Sequence, residues 1–282
     1  MAIRDYFKQV DTMTADQVRE FLDRHDPADY NLVDVRQPGE YEQGHLPGAR
    51  LIPVAELTDR LSELDPSKPT ITYCALGMRS RAAASVLVTT GFKNVSSIAG
   101  GIKAWQGRTA SGPLGAGMSF FSAAAGVDEL IALAWLLEDG SRKFYLAAAQ
   151  MKSAPEAAGL FSSLVKAEES HQGTLQVLYR EILGREPGPD FPGGLPVAQG
   201  IDDRMEGNVK VSEALAWAQG KETRDLLELS MALEIDSYDR YIKMSRTVPG
   251  ENAKKVFARL VSEEKEHLAR MADLLDRSVE GS

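Results

Sequence analysis

The 282 residues contain one cysteine, Cys74. A single thiol excludes an internal disulfide and a thiolate-built iron–sulfur centre, and it fits a reducing, cytoplasmic setting. No apolar run approaches the roughly 18 residues that a membrane helix requires. The first residues, Met1 to Tyr6, include Arg4 and Asp5 and form no apolar signal core. A membrane partner is therefore not expected. Nor is a nucleic acid: 32 basic residues against 41 acidic ones leave a net charge of −9, which repels a phosphate backbone. Histidine is also scarce, with four in the chain. What is present is length for two domains and a hydrophobic content of 43%, ordinary for a globular protein. Charge is uneven along the chain: residues 1–110 carry 14 acids and 13 bases, the remainder 27 acids and 19 bases.

Residues 1–108 alternate short β-type runs with helical patterns. Thr14 caps a helix reaching Leu22. Tyr30 to Val35 reads as a buried strand, Leu51 to Pro53 as a short one, Glu56 to Leu64 as a short helix, and Thr70 to Tyr73 as another strand. A helix over 81–90, a strand over 95–98 and a turn at Gly100-Gly101 complete the domain. Such alternation predicts an α/β domain with a largely parallel sheet. In that class the working site lies at the carboxyl ends of the strands.

Cys74 sits at such an end. The segment Cys74-Ala75-Leu76-Gly77-Met78-Arg79-Ser80 joins a strand to a helix. A thiol there faces converging backbone N–H groups and the positive end of the helix dipole, which favours the thiolate. Gly77 lets the loop curl without a Cβ clash, and Arg79 sets a fixed positive charge near the sulfur. A lone cysteine is otherwise most often a small buried hydrophobe. The Gly, Arg and Ser that follow argue for chemistry. Cys74 and Arg79 are the candidate catalytic residues; Ala75, Leu76, Gly77, Met78 and Ser80 are the candidate substrate-binding positions.

Five motifs stand in one order: Asp34-Val35-Arg36, Gly44-His45-Leu46-Pro47-Gly48-Ala49, Cys74-x-x-Gly77-x-Arg79-Ser80, Gly91-Phe92-x-Asn94-Val95, and Gly100-Gly101-Ile102-x-Ala104-Trp105. In these the domain resembles a single-domain rhodanese. The resemblance implies sulfur transfer: Cys74 takes a sulfane sulfur from a donor such as thiosulfate, becomes a persulfide, and passes the sulfur to a thiol or cyanide-like acceptor. A persulfide anion needs several N–H donors and little crowding, which a tight loop at a helix N-terminus supplies. Four residues separate Cys74 from Arg79. Related phosphatases use a loop one residue longer, so sulfur is the implied substrate atom. Asp34 reads as a buried structural carboxylate and His45 as a satisfied loop histidine. Arg36 reads either as a cation steering an anionic donor or as half of an ion pair.

Residues 106–117 hold four glycines and one proline without periodicity, the composition of a flexible joint. The expected linker spans 109–124. From 125 to 282 the pattern is all helical, with long helices near 127–151, 155–183, 222–247 and 251–277. A crossover at about 184–220 contains a short helical piece from Val211 to Gln219. Short, long and short connections are those of a four-helix bundle with one crossover.

Each long helix carries an apolar stripe interrupted by polar groups. On the first, Ile131 and Ala134 lead to Glu138, Ser141 and Tyr145. On the second, Leu160 and Leu164 lead to Glu168 and His171. The third runs Leu227, Ser230, Glu234, Ser237, Tyr241; the fourth runs Phe257, Leu260, Glu264, His267, Met271. A carboxylate on a core face costs several kcal/mol unless it is compensated. Four at one level repel one another, and no basic residue lies on these stripes to pair them. Two divalent cations resolve the conflict. The spacing supports this. Glu138 to Glu168 is 30 residues, as is Glu234 to Glu264, and each second glutamate is followed after three residues by His171 or His267. Tyr145 and Tyr241, and Ser141 and Ser237, repeat at the same offset of 96 residues.

This arrangement resembles the ferritin-like di-iron carboxylate bundles, nearest to the rubrerythrin branch. The resemblance implies Glu138, Glu168, His171, Glu234, Glu264 and His267 as metal ligands, with Glu168 and Glu264 bridging and the two tyrosines behind them. Two iron ions are the implied cofactor, with manganese or zinc as alternatives; no motif for an organic cofactor is evident. Peroxidase-type rubrerythrins carry a further glutamate three residues after the first one on the third helix. That position here is Ser237. They also carry a four-cysteine rubredoxin domain, so redox chemistry in this chain implies an external electron donor.

The leading expectation is thus a cytoplasmic sulfurtransferase whose bundle carries a di-metal redox site, with a joint long enough for Cys74 to approach it. The alternatives are a persulfide carrier or sensor with a structural metal, an iron-handling protein, or two independent domains. A homodimer is the expected assembly.

Overall fold

The computed structural model describes residues 10–113, 126–151, 155–201 and 203–280. The chain divides into two compact units, Met1–Ala116 and Gly117–Ser282.

In the first unit the order is β1 (Asp11–Met13), α1 (Ala15–Arg24), β2 (Asn31–Asp34), α2 (Pro38–Glu42), β3 (Arg50–Leu51), β4 (Thr70–Tyr73), α3 (Met78–Thr89) and β5 (Val95–Ile98). The strands form one sheet in the order β1-β5-β4-β2-β3, and every pairing is parallel. β4 is the central strand. All four of its residues are buried, as helices on both faces require. Alternate residues serve opposite faces: Val33 and Cys74 pack with Ala83, Ala84 and Leu87 of α3, whereas Leu32, Ile71 and Tyr73 pack with Val18 of α1. Cys74 is therefore the first residue past the carboxyl end of the central strand.

The Thr14 cap is present as a capping box with Gln17. β1 and α2 had no periodicity to reveal them, being three and five residues long. The helix expected over 56–64 is instead a succession of turns ending in a 3-10 turn, Leu61–Glu63. Its amides bond three residues back: Glu56 to Pro53, Asp59 to Glu56, Arg60 to Leu57, Leu64 to Leu61. The reason is that buried Leu57 and Leu64 anchor the two ends, and leucine spacing does not distinguish this register from an α-helical one.

The second unit holds α4 (Val127–Met151), α5 (Pro155–Leu183), α6 (Val211–Ala218), α7 (Thr223–Thr247) and α8 (Glu251–Glu280). α4 packs on α5, α7 on α8, and α5 meets α8. This is an all-α, four-helix-bundle architecture with α6 and two 3-10 turns, Pro196–Gly200 and Glu206–Asn208, on the crossover. The stripe residues of α4 and α7 are buried. On α5 the buried residue beyond Leu175 is Tyr179.

Part of the expected linker lies on the first unit. Ala110 and His45 exchange backbone hydrogen bonds of 2.8 and 2.9 Å, and the Gly112 N–H donates to Glu42 O at 2.8 Å. Residues 114–124 of that linker lie outside the described residues. Among the described residues no helix is long and apolar enough to cross a membrane.

Candidate functional sites

The loop after β4 is built around Cys74, which is 2% exposed. The Gly77 N–H donates to its Sγ at 3.1 Å. Gly77 holds φ +95°, and a Cβ there would lie 3.3 Å from Gly100 N and Ile98 O. The Gly100-Gly101 turn presses on the loop from behind: Ile102 N–H donates to Cys74 O at 2.8 Å and Lys103 N–H to Ala75 O at 3.2 Å. Ser80 is buried, 2.8 Å from the Ser97 hydroxyl, and accepts at its carbonyl from Thr72 Oγ1 at 3.0 Å. Burial by itself would push the Cys74 thiol up. The Ser80 amide and hydroxyl, with the amides of Leu76 and Gly77, outweigh it and hold the thiol below its ordinary value.

Arg79 reaches the same site but carries a partner that the sequence reading did not give it. Its guanidinium makes two bonds, 2.7 and 2.8 Å, to the Glu40 carboxylate on α2. The Arg79 bond pushes Glu40 down to about 2, and the pair raises Arg79 above its ordinary value. The sulfur therefore faces a bidentate ion pair in place of a free cation. Leu76 and Met78 are 61% and 82% exposed and form an apolar lip. Asp34 is buried and takes four hydrogen bonds from Arg36, whose Nη2 also donates to Gly44 O at 2.6 Å. That settles Arg36 as half of an ion pair. His45 is stacked on Tyr41, with Nδ1 2.9 Å from Tyr41 O.

In the second unit Glu138, Glu168, His171, Glu234, Glu264 and His267 are brought together, each at most 2% exposed. His171 Nδ1 lies 3.0 Å from Glu138 Oε2 and 3.6 Å from Glu168 Oε2. His267 Nδ1 lies 3.4 Å from Glu234 Oε2 and 3.8 Å from Glu168 Oε1. The Tyr145 hydroxyl donates to Glu234 Oε1 at 2.6 Å.

Whether these residues fit a metal is decided by their unused atoms. Both oxygens of Glu168 and Glu264, Oε1 of Glu138, Oε2 of Glu234, Nε2 of His171 and both nitrogens of His267 are buried without a hydrogen-bond partner. Ligand atoms from Glu168, His171 and His267 lie within 4.8 Å of one another, as do those of Glu138, His171 and Glu264, and those of Glu234, Glu264 and His267. Buried polar atoms are ordinarily satisfied, so the group fits a cation and can hold one. Otherwise protons carry the compensation: burial, then repulsion from neighbouring carboxylates, pushes Glu168 and Glu264 well up. Burial would depress His171, but Glu138 holds it up at about 9.

One residue of this cluster was missed. Glu206, on the crossover, is fully buried, and a ligand atom of it lies within 4.8 Å of those of Glu138 and Glu168. Burial and the Glu138 charge push it well up. No periodicity marks a three-residue 3-10 turn. The one available signal was an acid, Glu206, beside Gly207 in a crossover otherwise read as a connection.

The rhodanese-like domain family matches residues 14–108. Over 90 residues the chain is 38% identical to the thiosulfate sulfurtransferase GlpE of Pseudoalteromonas translucida, covering 32% of this chain and 83% of that protein. Over 77 residues it is 42% identical to the uncharacterized protein YqhL of Bacillus subtilis, covering 27% of this chain and 61% of that protein. A solved rhodanese-like domain protein from Staphylococcus aureus is 29% identical, with 34% of this chain and 91% of that one covered at a TM-score of 0.32. The motifs around Cys74 lie inside the matched span, and through it this chain belongs to the rhodanese-like family.

Proposed function

We propose that the protein is a rhodanese-type sulfurtransferase whose second unit is a ferritin-like bundle with a di-metal carboxylate site. The observation that carries the first part is the Cys74 sulfur, which accepts a backbone N–H and is held below its ordinary thiol value at a strand end. The Cys74 thiolate attacks the outer sulfur of thiosulfate. A new S–S bond forms at Cys74, the S–S bond of thiosulfate breaks, and sulfite leaves with the electron pair. The amides of Leu76 and Gly77 and the Ser80 hydroxyl stabilise the persulfide anion as they do the thiolate. An acceptor thiolate or cyanide then takes the outer sulfur and Cys74 leaves as thiolate, so no external oxidant or reductant is consumed.

In the bundle, Glu138, Glu168, His171, Glu234, Glu264 and His267 would hold two ions, with iron favoured by the imidazole and carboxylate donors. Such a pair supplies redox or Lewis-acid chemistry when bound. Tyr145 fixes the orientation of Glu234, and the surrounding apolar stripes exclude water.

Cys74→Ser tests the first part: thiosulfate-to-cyanide transfer is lost while metal content stays the same. Retained transfer would sink the assignment. A second reading, relay of persulfide sulfur to a protein thiol, is favoured by exposed Leu76 and Met78 beside the sulfur. Replacing both with serine would then slow transfer to a protein acceptor and leave transfer to cyanide unchanged.

A further inference from the structure

Glu206 belongs to none of the four long helices, yet the chain is built to bring it among their carboxylates. Three features make its place. On α4, Gly140 has no room for a side chain: a Cβ would overlap the Arg204 carbonyl oxygen and lie 2.7 Å from Met205 Cα. Only glycine lets the crossover backbone close on the helix between Glu138 and Ser141. Within the turn, Gly207 holds φ +68°, and a Cβ there would lie 2.5 Å from Leu233 Cδ2 on α7. Finally, the two serines related by the 96-residue repeat both grip this one turn. The Ser141 hydroxyl donates to Glu206 Oε2 at 3.3 Å and accepts the Glu206 N–H at 3.4 Å. The Ser237 hydroxyl accepts the Gly207 N–H at 3.1 Å.

The repeat also exposes what Glu206 displaces. Tyr145 of α4 donates to Glu234 of α7 at 2.6 Å. By the same relation Tyr241 of α7 should donate to Glu138 of α4. Its hydroxyl instead points to Glu206 Oε1, at 3.4 Å. Around Glu206, Glu138 Oε1 and both oxygens of Glu168 are buried without partners. Bonds of 3.3 and 3.4 Å do not offset the repulsion of a further buried carboxylate; a shared cation does.

We propose that Glu206 is a metal ligand supplied by the crossover on the Glu138–Glu168 side of the cluster, so that a cation bound there clamps residues 203–210 onto α4 and α7. This rests on the di-metal reading above. The two halves of the cluster are then unequal. The side with Glu206 has an additional carboxylate and binds a divalent cation more tightly than the side with Glu234 and His267.

The test uses the full chain, freed of metal by a chelator and titrated with Co2+ under argon, followed by the cobalt absorption bands and by hydrogen exchange of residues 203–210. The wild type should take up cobalt in two steps, and exchange of the crossover should slow during the first. Glu206→Gln keeps the shape and one acceptor oxygen for Ser141 or Tyr241, turns its amide NH2 toward the other hydroxyl, and removes the charge. It should weaken the tighter step by about 10–100-fold and uncouple crossover exchange from cobalt. Unchanged affinity in the variant, or wild-type crossover exchange that ignores cobalt, overturns the proposal and leaves the two-metal reading standing. Should the variant not fold, the wild-type exchange decides. A wild type that binds no cobalt sinks both readings together.

Discussion

Gly101→Ala should destabilise the first unit far more than Gly91→Ala, although both glycines hold positive φ. At Gly91 a Cβ meets nothing within 4 Å, so the cost there is conformational. At Gly101, with φ +62°, a Cβ would overlap Cys74 O and lie 2.7 Å from Ala75 C and 2.8 Å from Ala75 O. Backbone atoms cannot rotate aside as a side chain would. The left-handed conformation costs about 1–2 kcal/mol for a residue with a Cβ, and the overlap adds about 1–3 kcal/mol. Together they amount to roughly 2–5 kcal/mol, a large share of the roughly 5–15 kcal/mol that holds a typical domain. Pulsed hydrogen exchange of the buried β4 amides in urea reports on this unit, following unfolding of the sheet around Cys74. A difference of about 2 kcal/mol separates the two variants by roughly 1 M urea at a typical denaturant slope. Equal midpoints would refute the claim that the Gly100-Gly101 turn and the Cys74 loop are packed without slack. Sulfur transfer by folded Gly101→Ala should fall too, because the Cys74 carbonyl must leave its 2.8 Å bond with Ile102 N–H.

Alkylation of Cys74 should rise with pH around a midpoint below the ordinary thiol value of 9.0, since the thiolate is the reacting form. Ser80→Ala removes a hydroxyl that favours that form and should move the midpoint to higher pH; an unmoved midpoint would take the hydroxyl out of the account. Tyr145→Phe leaves Glu234 Oε1 without its 2.6 Å donor. Metal affinity should drop by about 10–100-fold, and unaltered affinity in a metal titration would contradict the role given to Tyr145. Stripping metal with a chelator should lower the calorimetric Tm of the bundle. Free metal at 100 times Kd adds about 2.7 kcal/mol, so identical melting with and without metal would mean that the cluster binds none.

Much of the candidate metal site was legible because a helix repeats every 3.6 residues and exposes its buried face in the pattern of the chain. Glu138, Glu168, His171, Glu234, Glu264 and His267 fall on those faces at matched offsets, and the structure buries all of them. The Cys74 loop was legible for a related reason. Strand, glycine and helix follow one another over a few residues, and the thiol, its N–H donors and the helix start are all local. Asp34 was read as a buried structural carboxylate, and the structure buries it; which of two roles Arg36 plays was decided by its bonds to Asp34 and Gly44. The segment 56–64 failed as a helix because leucine spacing sets its buried ends and not the hydrogen-bond register between them.

Two features had no local signature. Glu40 is 39 residues from Arg79, on a five-residue helix, yet it neutralises the charge beside the sulfur. Glu206 lies 68 residues from Glu138 in a three-residue turn and joins its cluster only because Gly140 and Gly207 let backbones meet. The amino-acid order thus fixed the two fold classes, the candidate thiol and six of the clustered candidate ligands, because backbone geometry between near neighbours imprints a period on burial. The partner of Arg79 and the added carboxylate were settled by the folded chain, because loops carry no period and their contacts depend on where distant surfaces close.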